Sequence, residues 1–146
     1  HKQLSKETAT SPTEGAQYVY CKKLVKNETG ERPLYTGYHS TVSAFYYGTL
    51  IVGDQFDGNF DGYSALDTNI PLSSLKEPTA FDSPTTFAVA SVIPGWTAAL
   101  QLMRAGERWM LYIPWQSAYG SSGNNDGTIP GYTALTFDLL LERIVE

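Results

Sequence analysis

The sequence predicts an α+β domain in which an antiparallel β-sheet of about five strands wraps around one short α-helix. Two observations carry this prediction: several segments alternate apolar and polar residues with the period of a strand, and a single segment has a clear helical period. At 146 residues the chain has the length of one domain. A domain of this size buries roughly 70% of the surface that its unfolded chain exposes. We therefore expect one hydrophobic core between the sheet and the helix.

Four segments have the composition and the alternation of strands. The first, AQYVYCKKLV at residues 16–25, is rich in aromatic and β-branched residues and is followed by the turn-forming NETGERP. In the second, TVSAFYYGTLIV at residues 41–52, one face carries Val42, Ala44, Tyr46 and Leu50. The other two alternate in the same way at Trp109, Leu111 and Ile113, and at Leu135, Phe137, Leu139 and Leu141.

The helix is predicted between the second and third of these strands. Its apolar residues stand at the i, i+3, i+4 and i+7 positions of a helical face, namely Trp96, Ala99, Leu100 and Met103. Gly106 follows where a helix of this period would end. We expect this face to pack in the core.

The first residues, HKQLSKETATSPTEG, are polar and offer no apolar face to pack. We therefore expect residues 1–14 to be a tail or linker, with the folded domain beginning near Gly15. Because the first residue is His1 rather than Met, we also expect a processed and exported chain, periplasmic or held at the cell envelope as a lipoprotein.

The charge of the chain argues against a nucleic-acid partner. The net charge is -5, and the ten Lys and Arg are scattered except for a loose cluster at Lys22, Lys23 and Lys26. Nucleic-acid binding needs a basic surface. No apolar run is long enough for a membrane span. The single cysteine, Cys21, lies in an aromatic and apolar segment, where we expect it to pack rather than to react.

Residues 57–62, DGNFDG, match the opening of an EF-hand calcium loop. Such a loop needs a Glu at its twelfth position and a helix on each side. Here the twelfth position is Thr68, and the residues before Asp57 have the pattern of a strand. Asn and Gly are also common in turns for conformational reasons. The pattern therefore favours a turn over a metal site.

The sequence gives weaker evidence for a hydrolytic or acid-base site than for an aromatic pocket. His39 is the only histidine inside the chain, and no GxSxG segment surrounds a serine. Carboxylates in a Gly-rich segment are typical of solvated turns rather than of an acid-base pair; these are Asp54, Asp57, Asp61 and Asp67. Ten Tyr, six Phe and three Trp stand out instead. Such residues form either the core or the lining of a concave pocket.

Several segments, taken in order, resemble a known family. VIPGWTAALQLM at 92–103, GERWMLYIPWQSAYG at 106–120 and TIPGYTALTFDLLL at 128–141 resemble the V-I-x-G-W, I-P-x-x-x-A-Y-G and I-P-P-N-A-T-L-V-F motifs of the FKBP-type peptidyl-prolyl cis-trans isomerases. Upstream, AFYYGTL and VGDQFDGN are similar to that family's V-x-Y-x-G-x-L and D-G-x-x-F-D-S segments. The resemblance covers residues 15–146 in order.

The resemblance implies a pocket between helix and sheet that isomerises prolyl bonds in peptide or protein clients. It implies no covalent intermediate, cofactor or metal. Carried over position by position, the pocket residues are Tyr46, Phe56, Asp57, Val92, Ile93, Trp96, Tyr119, Ile129 and Phe137. Phe87 is expected as a neighbouring wall or core residue. Macrolide inhibitors of the family are expected to bind the pocket, and we expect a monomer.

The resemblance also suggests a role for each of these residues. We expect the proline ring of the substrate to be surrounded by Trp96, Phe56, Phe137, Val92 and Tyr46. The Ile93 backbone N–H and the Tyr119 hydroxyl would hold substrate carbonyls, and Asp57 would influence the electrostatics near the twisting bond.

The sequence departs from the family's motifs at two turns. Gly131 and Tyr132 stand where Pro-Asn is usual, and Trp115 and Ser117 occupy positions that commonly carry other residues.

A larger departure is an insertion at about residues 58–84 that could cover the pocket or add a binding surface. It contains a second Phe-Asp pair, Phe81-Asp82, but the short spacing from Tyr46 favours Phe56-Asp57 as the pocket pair. The alternative function is a non-catalytic domain of the same fold that holds a protein partner with its pocket or its insertion.

Overall fold

The structure is a computed structural model that describes residues 2–5, 18–31 and 40–145. Within these residues the chain forms seven strands and one α-helix, namely β1 (Lys2–Ser5), β2 (Tyr18–Val25), β3 (Thr41–Leu50), β4 (Gln55–Gly58), β5 (Thr85–Ala88), α1 (Pro94–Leu100), β6 (Arg108–Ile113) and β7 (Leu135–Ile144). The strands form one sheet in the order β1-β2-β6-β7-β3-β4, and β5 also pairs with β3. Every pairing is antiparallel. The predicted α+β class is confirmed.

The four predicted strands are present as β2, β3, β6 and β7. The sheet has more strands than the sequence indicated because three strands have only four residues each, too few to show an alternation. At residues 2–5 the structure differs from the tail that we expected, since β1 pairs with β2 through its backbone. Backbone pairing needs no apolar face, which explains how a polar segment can join an edge. His1 and residues 6–14, the rest of the expected tail, lie outside the described residues, as does the expected domain start at Gly15.

The main core lies between one face of the sheet, here called the inner face, and helix α1. Pro94 suits the first helical position because the N–H that it lacks would be unpaired there. The predicted helical face is buried: Trp96 is 3% exposed, and Ala99, Leu100 and Met103 are fully buried. The helix itself ends at Leu100, earlier than the pattern indicated, and a turn carries Met103 into the core.

The opposite, outer face of the sheet is covered by the insertion. Residues 59–84 contain no helix or strand, yet Tyr63 and Ile70 pack with Leu24 and Met110 of the sheet into a second buried cluster. Under this cover lies an ion pair between Arg108 of β6 and Asp138 of β7, whose side chains are 1% and 0% exposed. The insertion therefore forms a layer on the outer face of the sheet and does not cover the inner face, which packs against α1.

Within the described part of the chain, no helix has the length and apolar character needed to cross a membrane.

Candidate active site

A cavity of about 320 Å³ opens between α1 and the inner face of the sheet. Ligand-binding clefts usually begin at about this volume. Each neighbouring element contributes to its lining, which consists of Tyr46 from β3, Phe56 and Asp57 from β4, Phe87 from β5, Ser91, Val92 and Ile93 from the segment before the helix, Trp96 from α1, Tyr119 from the loop after β6, and Phe137 from β7.

Trp96 forms the floor of this cavity and organises the aromatic rings around it. Its ring centroid lies 5.3 Å from that of Tyr46, 4.9 Å from that of Phe87 and 5.2 Å from that of Phe137. All three pairs are close to perpendicular, with interplanar angles of 72–83°. Such edge-to-face pairs contribute about 0.5–1.5 kcal/mol each beyond the burial of area. The rings therefore form a preorganised apolar wall.

Gly48 makes room for this wall. A Cβ atom at Gly48 would lie 2.7 Å from the Phe137 ring and 2.8 Å from the Phe56 ring, closer than real Cβ contacts allow. These two rings meet edge to face at a centroid distance of 5.5 Å. The glycine of β3 is thus required by the close approach of two aromatic rings to the strand.

The cavity lining also includes the polar side chains of Tyr46, Asp57 and Tyr119. The Asp57 carboxylate accepts hydrogen bonds from the Gly58 N–H at 2.8 Å and from the Tyr46 hydroxyl. Burial, followed by this bond to Asp57, raises the pKa of Tyr46. Burial, followed by the negative charges of Asp57 and Asp126, raises the pKa of Tyr119. Both hydroxyls therefore keep their proton, which Tyr46 donates to Asp57 and which Tyr119 can donate to an acceptor in the cavity.

Eight of the nine residues that the resemblance assigns to the pocket line this cavity. The exception is Ile129, which is 1% exposed and packs in the main core. Asn124 fixes the backbone there: the Ile129 N–H donates to Asn124 Oδ1 at 2.9 Å, and the Ile129 carbonyl accepts from the Asn124 N–H at 3.0 Å. The Ile129 side chain therefore belongs to the main core and not to the cavity lining.

The choice between the two Phe-Asp pairs is settled by their positions. Phe56 and Asp57 line the cavity, whereas Phe81 is 98% exposed. Asp82 Oδ2 accepts from the backbone and the hydroxyl of Thr79, so that it closes a surface turn.

Two lining residues were outside the predicted set. Phe87 was expected only as a neighbouring wall or core residue, and its contacts with both Tyr46 and Trp96 place it in the wall. Ser91 was missed, and its only sequence signal is its position directly before the V-I-P-G-W motif.

The segment that matches a calcium loop has other partners. Asn59 is hydrogen-bonded to β3 and β5 through its side chain, and Asp61 lies 4.0 Å from Lys76 Nζ. Among the described residues, no three His, Cys, Asp or Glu side chains form a group that could hold a metal ion.

The FKBP-type peptidyl-prolyl cis-trans isomerase family model matches residues 36–142 of the chain. A macrophage infectivity potentiator of Trypanosoma cruzi is 52% identical over 76 residues, which are 48% of this chain and 38% of the relative. The FKBP-type isomerase FkpA of Aeromonas hydrophila is 33% identical over 95% of this chain and 41% of its own. Outer membrane protein MIP of Legionella longbeachae is 40% identical over 73% of this chain and 34% of its own. The chain thus spans less than half the length of these relatives.

A solved structure agrees with the match to this family model. The peptidyl-prolyl cis-trans isomerase of Pseudomonas syringae superposes with a TM-score of 0.65 at 30% identity, covering 88% of this chain and 76% of the other.

Proposed function

The chain belongs to the FKBP-type peptidyl-prolyl cis-trans isomerase family, and we propose that its aromatic cavity isomerises peptide bonds before proline in peptide or protein clients. The observation that carries this proposal is the cluster of perpendicular rings around Trp96, open on one side and bordered by Tyr119 and Asp57. We further propose that residues 15–146 form the isomerase domain, with the insertion as a structural layer of that domain.

The chemistry suits such a cavity. Rotation about a prolyl bond meets a barrier of about 18–20 kcal/mol because the planar amide loses its partial double-bond character as it twists. Water stabilises the planar, more polar amide better than the twisted one. Transfer into an aromatic cavity therefore costs the ground state more than the transition state, and this difference lowers the barrier.

We assign the proline ring of the substrate to the apolar part of the cavity, formed by Trp96, Phe56, Phe137, Val92 and Tyr46. The Tyr119 hydroxyl and the Ile93 N–H would donate to substrate carbonyls. Asp57, which accepts from the Tyr46 hydroxyl, would bias the field near the twisting bond. No covalent bond to the protein is formed in this mechanism.

The test is NMR exchange between the cis and trans forms of a short Phe-Pro peptide, with and without the protein. We expect exchange to be accelerated by the protein and to return to the buffer rate when a macrolide inhibitor of the family is added. Exchange no faster than in buffer would overturn the proposal.

Two variants test the assigned residues, and a third serves as a control. Trp96→Leu should lower kcat/KM by at least about 10-fold because it removes the ring to which three others pack. Trp109→Leu is the matched control, since Trp109 is equally buried in the main core but does not line the cavity.

Tyr119→Phe should lower kcat/KM roughly 3- to 10-fold, the effect of one neutral hydrogen bond.

The second candidate function is a non-catalytic domain that holds a protein partner. The observation in its favour is the exposure of Leu66, Leu72 and Phe81 on the insertion, by 63%, 56% and 98%. Under this alternative, protein binding is lost in Phe81→Ser while the peptide exchange rate equals that of buffer. The open cavity favours the enzyme.

We also propose an exported location, in the periplasm or cell envelope, where the domain would assist protein folding. The support is the similarity to a relative named as an outer membrane protein. Fractionation of cells that express the full-length gene tests the location. The monomeric state remains a prediction, which light scattering of the purified chain can check.

A further inference from the structure

One edge of β3 is shared by two short strands with a gap between them. β4 pairs with Tyr47–Thr49, and β5 pairs with Thr41–Ala44. Among the described residues, Phe45 and Tyr46 have no strand partner along this edge. The gap is where the chain leaves the sheet for the insertion and returns from it. It also lies beside the cavity, because Tyr46 is one of the lining residues.

The side chain of Asn59, the first residue after β4, fills this gap. Its Oδ1 accepts from the Tyr46 N–H at 2.8 Å, and its Nδ2 donates to the Ala44 carbonyl at 3.1 Å and to Thr85 Oγ1 at 3.0 Å. Its own N–H donates to the Tyr46 carbonyl at 2.9 Å. The side-chain amide has the donors and the acceptor of a peptide group, so it substitutes for the missing strand. The orientation of the amide is fixed because only its oxygen can accept from the Tyr46 N–H.

These bonds join the three strands that carry one side of the aromatic wall. Tyr46 is on β3. Phe56 is on β4, the strand that ends directly before Asn59, and Phe87 is on β5, which begins at Thr85. The Tyr46 and Phe87 rings meet at 5.5 Å, and each also contacts Trp96. We propose that Asn59 is a positioning residue, whose amide sets the spacing of the Tyr46 and Phe87 rings and thereby the width of the proline pocket. This inference rests on the proposed function of that pocket.

A merely structural role for Asn59 predicts a loss of stability and nothing else. The chain provides a matched control in Asn27, which also joins distant segments: its N–H donates to Glu107 Oε2 at 3.0 Å, and its Nδ2 donates to the Ala105 carbonyl at 2.8 Å. None of these groups lines the cavity. Asn27→Ala keeps the backbone bond to Glu107 but removes two side-chain bonds, the one from Nδ2 to the Ala105 carbonyl and the one that Oδ1 accepts from Thr29 Oγ1 at 3.2 Å. Asn59→Ala removes three side-chain bonds beside the pocket.

The experiment compares both variants with the unaltered protein at a temperature at which circular dichroism shows all three to be folded. We expect Asn59→Ala to lower kcat/KM about 10-fold or more, since a misplacement of about 1 Å at a site can cost about 100-fold. We expect Asn27→Ala to retain kcat/KM within about 2-fold while losing a similar amount of melting temperature. Equal effects of the two variants on kcat/KM would overturn the inference.

A second readout does not depend on activity. The indole N–H resonance of Trp96 and the ring-to-ring nuclear Overhauser effects between Tyr46 and Phe87 should change in Asn59→Ala and not in Asn27→Ala. If the unaltered protein fails to accelerate exchange, the proposed function fails, yet these spectra still decide whether Asn59 sets the ring spacing. Unchanged spectra in Asn59→Ala would overturn the inference even if the protein were an active isomerase.

Asn59→Asp adds a pH-dependent rescue. The carboxylate keeps the acceptor for the Tyr46 N–H but loses the donor to the Ala44 carbonyl. Protonation near the ordinary aspartate pKa of about 3.9 restores one donor. We expect kcat/KM relative to the unaltered protein to rise as the pH falls from about 7 to about 4, with no such rise for Asn59→Ala. A flat ratio for Asn59→Asp would contradict the positioning role.

Discussion

The tyrosine hydroxyls at the cavity show how neighbouring groups fix a protonation state. Tyr46 is partly buried and donates to Asp57, and both causes favour its neutral form and raise its pKa. Tyr119 is 38% exposed, and its raised pKa comes from partial burial and from the charges of Asp57 and Asp126. Both tyrosines thus keep their hydroxyl proton to a higher pH than an exposed tyrosine does.

The raised pKa of Tyr46 predicts a loss of folding stability in alkaline solution. Above about pH 10 the unfolded chain releases a tyrosine proton that the folded chain retains, so the free energy of unfolding falls as the pH rises further. Below about pH 9 this group should have no effect on the pH dependence. Tyr46→Phe should remove its part of the alkaline slope. Phe87→Leu, at a ring that contacts Tyr46, should lower stability equally at every pH.

Urea unfolding at a series of pH values between about 8 and 11 measures this slope. The same alkaline slope in Tyr46→Phe and in the unaltered protein would contradict the prediction.

At the scale of the element, β3 serves both faces of the sheet because its residues alternate. Tyr46 and Gly48 lie on the inner face beside the cavity. Thr49, the next residue of the strand, lies on the outer face, where its hydroxyl oxygen accepts from the Ala65 N–H of the insertion at 3.0 Å. Close packing therefore constrains glycines on both sides. A Cβ at Gly48 would meet the Phe137 and Phe56 rings, and a Cβ at Gly62 would lie 2.6 Å from Asp138 Oδ2 on the outer face.

Gly48→Ala and Gly62→Ala form a pair that separates the two faces. Each should lower the free energy of unfolding by about 1–3 kcal/mol, the usual cost of overpacking. Only Gly48→Ala should lower kcat/KM, by about 10-fold or more, because it displaces two rings of the cavity wall. Urea unfolding and peptide exchange measured on both variants test this. An equal loss of kcat/KM in Gly62→Ala would show that the two faces are not independent.

The elements that the sequence predicted are those long enough to show a period. β2, β3, β6, β7 and α1 each display their alternation or helical face. β1, β4 and β5 do not, since a four-residue strand is fixed by the edge to which it pairs. The same distinction applies to the site. Sequence motifs identified Trp96 and Tyr119 as cavity residues. No motif shows the buried position of Ile129, whose backbone is hydrogen-bonded to Asn124, or the proposed role of Asn59, which depends on a gap between two strands.

At the scale of the whole molecule, the sheet separates two layers with different chemistry. The inner layer is aromatic and forms the cavity, while the outer layer encloses a charge pair. Arg108 donates to both oxygens of Asp138 at 2.8 and 2.7 Å, and also to the Lys76 carbonyl of the insertion. The Tyr63 N–H donates to Asp138 at 3.0 Å. Burial by itself lowers the pKa of Arg108, but its bonds with Asp138 outweigh this and raise the pKa overall.

The costs of removing Arg108 and Asp138 should not be additive. Arg108→Leu leaves a buried carboxylate without its counter-ion and should lower the free energy of unfolding by about 3–5 kcal/mol. The double variant Arg108→Leu with Asp138→Leu should lose less than the sum of the two single changes, because neither charge is left unpaired. Urea unfolding of the four proteins gives the coupling energy. Additive losses would mean that the pair contributes nothing as a pair.

Deletion of the insertion tests the separation of the two layers most directly. Asn59 and Thr85 touch at 3.0 Å, so a linker of a few glycines should replace residues 61–83 without straining the sheet. The shorter loop reduces the entropy cost of closure only slightly. Loss of Tyr63 and Ile70 removes roughly 1.5–3 kcal/mol of burial each and exposes Met110 and the ion pair.

We therefore expect the deletion variant to unfold at a lower urea concentration. While it is folded, its kcat/KM for a short peptide should stay within about 2-fold of the unaltered protein, since residues 61–83 do not line the cavity. A lid over the pocket would behave in the opposite way, because its removal would raise kcat/KM with little effect on unfolding. Peptide exchange and urea unfolding on the same sample distinguish the two, and a rise in kcat/KM would contradict the layered arrangement.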